Sequence, residues 1–115
     1  MSFITEADRI GQALTIVRGV KCVTRGWPTA MDSDTLPCIV VQKAGEKSAD
    51  RRDDREYLTE VEYYIRVFSK SASEADRVAA DALGVVEGLG YERVFGWEEF
   101  TQDVCRVDMR VRSYF

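Results

Sequence analysis

The sequence predicts a single α+β domain over residues 1–115, with a mostly antiparallel sheet of four to five strands, two helices packed on one face, and a long β-hairpin loop. Two stretches carry apolar residues at helical spacing, and two others alternate between apolar and polar residues. Their interleaved order favours antiparallel hairpins. With 115 residues, 45% of them apolar, the chain is long enough to build one core.

The first helix is predicted at residues 4–18. Thr5 and Asp8 resemble a capping box, because a hydroxyl and a carboxylate at these positions can bind free amide groups of the first turn. Gly19 is a plausible stop. One helix face carries the apolar residues Ile10, Ala13, Leu14 and Val17.

The second helix begins after the third predicted strand. Ser71 or Ser73 provides its N-cap, and Gly88 or Gly90 can take the left-handed conformation in which helices end. Its apolar stripe consists of Ala75, Val78, Ala82, Val85 and Leu89.

Five segments have the pattern of strands: residues 20–23, 38–41, 57–69, 91–97 and 104–114. The third and the fifth alternate most clearly, so each has one apolar and one largely polar face. Residues 98–103, EEFTQD, are predicted as a polar turn between the last two strands.

The segment KAGEKSADRRDDREY, residues 43–57, joins the second and third predicted strands and gives the flexible loop, at about residues 44–56. Nine of the eleven residues from Glu46 to Glu56 are charged, four basic and five acidic. Such a segment buries too little apolar surface to fix itself, but it can become ordered against a partner. Both interpretations stay open.

Composition excludes several classes of function. The chain has 20 acidic and 16 basic residues, mixed along the sequence, so nucleic acid is not expected as the main partner. The N-terminus lacks the basic start and apolar run of a signal peptide, and no stretch reaches the roughly 18 apolar residues of a membrane span. We expect a cytosolic chain that does not enter a membrane.

No catalytic, cofactor or metal site is predicted. Histidine, the commonest general base and metal ligand, is absent from the sequence. The loop residues 32–34, DSD, need no metal to explain them, and Glu60 with Glu62 fits a solvated or arginine-paired sheet face better than a proton-sharing pair. The three cysteines are expected to be buried structural thiols: Cys22, Cys38 and Cys105.

The polar faces of the third and fifth predicted strands are complementary in charge. Glu60, Glu62 and Arg66 lie on one, and the other carries Arg106, Asp108, Arg110 and Arg112. If these strands are neighbours, acids and arginines can form cross-strand pairs. Leu58, Tyr64 and Phe68 add apolar surface to this face, which a monomer would leave in water.

The layout resembles the tail-completion or tail-terminator proteins of long-tailed bacteriophages and prophages. The resemblance covers nearly the whole chain and rests on its order of elements. The segments that carry it are LPCIVVQK, the charged loop, EYLTEVEYYIRVFSKS, SEADRVAADALGVVEGLGYERV and DVCRVDMRVRSYF. The closest matches are VFSKS before a helix, the Gly90–Tyr91 step after it, and a final strand ending in an aromatic residue.

The resemblance implies a non-enzymatic ring subunit, typically in a six-fold ring, that caps the head-proximal end of the tail tube and ends its polymerisation. The implied partners are other copies of the chain, the tail-tube protein and a head-side connector protein, first in the host cytoplasm and then in the virion. Two alternatives stay open: a head-completion or neck connector protein, and a small monomeric binding module such as an immunity protein.

The residues predicted to contact partners lie in the loop and on the polar sheet face. Subunit contacts are expected on Tyr64, Arg66, Phe68 and residues 106–112, and the loop is expected to reach the tube. Replacing the three arginines of the loop with alanine should impair assembly but not folding. The full set is Arg51, Arg52, Arg55, Glu60, Glu62, Tyr64, Arg66, Phe68, Arg106, Arg110 and Arg112.

Overall fold

The computed structural model describes residues 5–27, 34–48, 59–101 and 104–114, which form a five-stranded sheet and two helices. In chain order the elements are α1 (Glu6–Leu14), β1 (Cys22–Thr24), β2 (Cys38–Ser48), β3 (Thr59–Ser69), α2 (Ala72–Gly88), β4 (Glu92–Phe100) and β5 (Cys105–Tyr114). The strand order is β1-β2-β3-β5-β4, with β1 parallel to β2 and the other pairs antiparallel. The predicted α+β fold is confirmed.

Helix α1 is capped by Thr5 as predicted, but it begins at Glu6 rather than at about residue 4 and ends four residues early. The Thr5 hydroxyl accepts a hydrogen bond from the Asp8 amide at 3.1 Å. At the other end the Thr15 hydroxyl donates to the Gln12 carbonyl at 2.6 Å, which competes with the helical pattern. The predicted end at residue 18 was therefore wrong: residues 15–19 form a turn, closed by Gly19 at φ 86°.

Helix α2 matches its predicted ends. The Ser71 hydroxyl accepts a hydrogen bond from the Glu74 amide at 3.3 Å, and Gly90 has a φ of 98° just after the helix. Val86, rather than its predicted neighbour Val85, takes the fully buried position, while Val85 is half-buried.

Strand β2 is longer than predicted and takes up part of the predicted loop. It pairs with β3 from Cys38 through Ser48, with a bulge between Lys43 and Gly45. Residues 44–48, predicted as loop, are therefore strand, because backbone hydrogen bonds to β3 extend the hairpin where no apolar pattern marks it. The rest of the predicted loop and residues 57–58 lie outside the described residues.

Two other strand predictions need small corrections. Strand β1, predicted at 20–23, spans Cys22–Thr24 and pairs Cys22 with Cys38. Strand β4, predicted to end at 97, continues to Phe100 because residues 98–100 pair with β5. The chain then turns where the Thr101 amide donates to the Val104 carbonyl at 2.9 Å.

Both helices pack on the same face of the sheet, as predicted, and the main core lies between the two layers. Tyr91, just after α2, donates a hydrogen bond to Glu6 at 2.5 Å and thus joins the start of α1 to the end of α2. Within the described residues no helix is long and apolar enough to cross a membrane. The fully buried side chains of this core include Ile10, Leu14, Ile39, Ile65, Val78 and Val111.

Candidate partner-binding surface

The sheet surface opposite the helices, here called the arginine face, is built from alternate residues of β3 and β5 with contributions from β4. The register sets Glu62 opposite Arg112, Arg66 opposite Asp108 and Phe68 opposite Arg106. Eight of the eleven predicted partner-contacting residues lie together on this face: Glu60, Glu62, Tyr64, Arg66, Phe68, Arg106, Arg110 and Arg112. Arg51, Arg52 and Arg55 fall outside the described residues.

The predicted cross-strand ion pairs form, mostly on the diagonal. Arg110 donates to Glu62, although the residue directly opposite Glu62 is Arg112. Arg112 bridges two acids, reaching Glu92 on β4 at 2.7 Å and Glu60 on β3 at 3.5 Å. The hydrogen bonds to Glu62 and to Glu92 raise the pKa of Arg110 and of Arg112, so both guanidinium groups stay charged.

Of the two interpretations of Glu60 and Glu62, the arginine-paired one is found. Glu60 is 5% exposed and Glu62 is 9% exposed, because arginine and tyrosine side chains cover them. The Tyr114 hydroxyl donates to Glu60 at 3.2 Å. These carboxylates are therefore held in place by partners on the face itself.

Asp108 lies at the centre of the arginine face and is 1% exposed. Its carboxylate pairs with Arg106 Nε at 3.1 Å and with Arg66 Nε at 3.7 Å. Burial raises the pKa of Asp108, and the two arginines only partly oppose this. Arg106 also donates to Glu99 and Arg66 to Gln42, so the cluster ties β2, β3, β5 and β4 together.

Trp27 completes this cluster, and no role was predicted for it. From the segment after β1 it lies over the arginine face, with its ring centre 5.2 Å from the guanidinium carbon of Arg66 and 5.4 Å from that of Arg106. Its ring also meets Phe68 edge-on at 5.2 Å. Phe68 is only 3% exposed, so the expectation that a monomer would leave it in water was wrong. The sequence could have indicated this contact, because a tryptophan in an otherwise polar connector normally packs its large ring against other side chains.

Aromatic side chains extend the face towards β4. Tyr64 lies under Arg66 at 4.4 Å and meets Trp97 edge-on at 6.2 Å, while Trp97 stacks on Phe95 at 4.9 Å. The sequence predicted that the last two strands form a hairpin, as β4 and β5 do, but Phe95 and Trp97 were not assigned to this surface. Arginine with tryptophan and tyrosine is the composition typical of the energetically dominant part of protein interfaces.

Within the described residues, a reactive cysteine and a metal site receive little support. Burial, with a hydrogen bond to Cys22, raises the pKa of the Cys38 thiol to about 12, which disfavours the thiolate. Cys22 and Cys105 are half-buried rather than buried as expected, and Cys105 packs against the main core. No group of three His, Cys, Asp or Glu suited to a metal is found in the described part of the chain.

The fold resembles that of a known virion component. A chain from a solved structure described as "Virion of native gene transfer agent (GTA) particle" superposes with a TM-score of 0.53 and 16% sequence identity, over 91% of this chain and 82% of that chain. At this identity the likeness shows a shared fold. No protein-family model matches the sequence, and no curated protein matches it either.

Proposed function

We propose that this chain is a structural, non-catalytic subunit of a phage-like virion. It forms a ring, typically six-fold in the family it resembles, that caps the head-proximal end of the tail tube, stops tube growth and offers a surface for joining the head. The observation that carries the proposal is the fold shared with a chain of a gene transfer agent virion over 91% of this chain. Assembly takes place in the host cytoplasm, and the mature location is the virion.

The arginine face supports a protein partner. Its four arginines alternate with five carboxylates, so the surface carries both signs and lacks the excess of positive charge expected for binding a phosphate backbone. Because most of these side chains already hold one another in place, less conformational freedom is lost on binding. The four arginines are Arg66, Arg106, Arg110 and Arg112, and the five carboxylates are Glu60, Glu62, Glu92, Glu99 and Asp108.

We assign the arginine face to the tail-tube protein. The sequence-based hypothesis places subunit contacts on Tyr64, Arg66, Phe68 and residues 106–112, but the sheet has open edges that suit such contacts better. Exposed aromatic side chains on the arginine face then meet a different protein: Trp27 and Phe95 are each 49% exposed.

Tube assembly in vitro tests this function. The tail-tube protein encoded in the same genome is polymerised with increasing amounts of this chain, and tube lengths are measured by negative-stain electron microscopy. Capping predicts shorter tubes at higher ratios and a ring at one end of each tube. Unchanged tube lengths would overturn the proposal. So would retention of the chain by the connector protein but not by the tube protein, since that is the behaviour of a head-completion subunit.

A further inference from the structure

Strand β4 forms one edge of the sheet, and its nine residues include four charged and four large apolar side chains. Within the described residues it pairs with β5 alone, along its whole length from Glu92 to Phe100. Val94 is 38% exposed, and Phe95 and Phe100 are each 49% exposed. Proteins normally protect edge strands with charge, proline or cover. The stretch from Val94 to Trp97 carries neither charge nor proline, so its backbone groups are suited to pairing with another strand.

The opposite side of the sheet offers a second edge of similar length. Strand β1 pairs with Cys38, Ile39 and Val40, and in the described part of the chain nothing pairs with the outer side of β2 from Val41 to Ser48. This edge has eight residues, against nine in β4. The two edges therefore match in length.

Strand directions make the two edges complementary. Strands β1, β2 and β5 run one way, and β3 and β4 run the other. When copies are related by rotation about an axis near the strand direction, β4 of one copy meets β2 of the next in antiparallel orientation. Such heterologous contacts close into a ring and keep the helices of every copy on the same side.

Strand β1 fixes the offset between the copies. Because it occupies the start of the β2 edge, β4 must dock beyond it, with Phe100 beside Val41 and Glu99 beside Gln42. Within one copy, a row of directly opposite residues runs across the sheet from Glu99 through Arg106 and Phe68 to Cys38. Docking beside Gln42 instead of Cys38 shifts each copy by four residues along the strands, which is about 13 Å. Because the five strands of one copy are about 24 Å wide, this shift inclines the strands by about 30° to the ring axis. Closed sheets have a similar tilt.

This register also joins opposite charges. It places Lys43 beside Glu98, both on the helix side of the sheet. Glu98 and Asp76 line a groove of about 420 Å³ between α2 and β4. A hydrogen bond to Asp76 raises the pKa of Glu98, so these two carboxylates lie against each other and would gain from a nearby cation. Lys43 pairs with Glu46 at 2.9 Å, an exposed pair that is easily exchanged.

We propose that a second copy of this chain docks head to tail, its Val41–Ser48 edge pairing antiparallel with β4 and its Lys43 facing Glu98. This inference takes the ring from the proposed function and supplies its subunit contacts. Backbone hydrogen bonds give affinity, and Val94 and Phe100 at the β4 edge become covered, while Phe95 stays on the arginine face.

Two single-edge variants test the geometry. Ala44→Pro blocks the β2 edge and Val94→Pro blocks β4; both positions are bulge residues, where proline is best tolerated in a strand. Circular dichroism checks folding, and analytical ultracentrifugation measures mass. We expect the wild type to associate, each variant alone to be monomeric, and an equal mixture to form a dimer. A monomeric wild type, a monomeric mixture, or self-association of either variant would overturn the proposal.

A charge exchange provides a second test that does not depend on proline. Lys43→Glu and Glu98→Lys should each weaken self-association about tenfold, and a chain carrying both should recover it, because each interface again pairs opposite charges. Failure of the double variant to recover would overturn the register. Neither experiment contains tube protein. A chain that associates in this way but does not cap tubes contradicts the proposed function alone, and one that caps tubes while the mixture stays monomeric contradicts this inference alone.

Discussion

Strands β3 and β5 have two faces made from alternate residues, and the faces differ in what covers them. On the helix face, Ile65 and Val111 are fully buried beneath α1 and α2. On the arginine face, Asp108 is equally inaccessible, but it is covered by the side chains of Arg66 and Arg106 and not by a second layer of structure. One side therefore uses apolar burial throughout. The other combines charges and aromatic rings with a smaller buried apolar cluster of Leu36, Cys38, Val40 and Phe68.

The difference separates stability from recognition. Apolar burial stabilises the fold, since about 25 cal/mol are gained per Å² removed from water. A buried ion pair contributes little net stability, because desolvation offsets the attraction. The helix face should therefore hold the domain together, while the arginine face presents a preformed surface to a partner. Four predictions test this division, from the largest effect on stability to the smallest.

Ile65→Ala should lower the free energy of unfolding by about 3 kcal/mol, because it leaves a cavity in the main core. Urea unfolding measures the effect. Ile16→Ala is the matched control: Ile16 is 76% exposed, and its replacement should change stability by less than about 0.5 kcal/mol. Equal losses from both variants would remove the basis for calling the helix face the stabilising one.

Trp27→Ala should cost about 1–2 kcal/mol in the same assay, through loss of the contacts with Phe68, Arg66 and Arg106. Trp27→Phe keeps an aromatic ring and should lose less. If the alanine variant were as stable as the wild type, Trp27 would contribute nothing to the order of the arginine face.

Glu6→Gln should destabilise the protein by about 1 kcal/mol at neutral pH. The Arg9 hydrogen bond, with that from Tyr91, holds the pKa of Glu6 below its ordinary 4.5. Its stabilising effect is thus present above pH 4.5 and is lost as the pH falls through the lowered pKa. Urea unfolding at several pH values should show that the difference in free energy of unfolding between wild type and variant becomes smaller in acid. A difference that becomes larger in acid would contradict the conclusion that charged Glu6 stabilises the fold.

Asp108→Asn should change stability at neutral pH by less than about 1 kcal/mol, because burial of the carboxylate offsets its attraction to the arginines. The pH dependence is opposite to that of Glu6. Burial raises the pKa of Asp108 above 3.8, so its favourable contribution is present below 3.8 and is lost as the pH rises through the raised value. As the pH rises through the raised pKa, the free energy of unfolding of the wild type should fall relative to that of the variant. The reverse trend would contradict this description.

Local patterns predicted much of this fold. The alternation of Val107, Met109 and Val111 with arginines identified β5 and its two faces, because a strand's period is visible in the sequence itself. The extension of β2 through Ser48 was not visible, since polar residues there are held by pairing with β3. The contacts of Trp27 likewise depend on tertiary structure. The hairpin of β4 and β5 was predicted, but the site was predicted without Trp27, Phe95 and Trp97.

The division between the two faces is tested most directly by neutralising two arginines on each side. One variant carries Arg110→Gln and Arg112→Gln on the arginine face, and the matched control carries Arg18→Gln and Arg77→Gln on the helix side, where Arg77 donates to the Arg18 carbonyl. Urea unfolding and tube length are measured for both. We predict that the control variant keeps its stability within about 1 kcal/mol of the wild type. The first variant loses more, because Glu60 and Glu62 are buried and lose their arginine partners. Under conditions in which both variants are folded, tube capping should be lost in the first variant alone. Equal capping by both variants would contradict the assignment of the arginine face to partner binding.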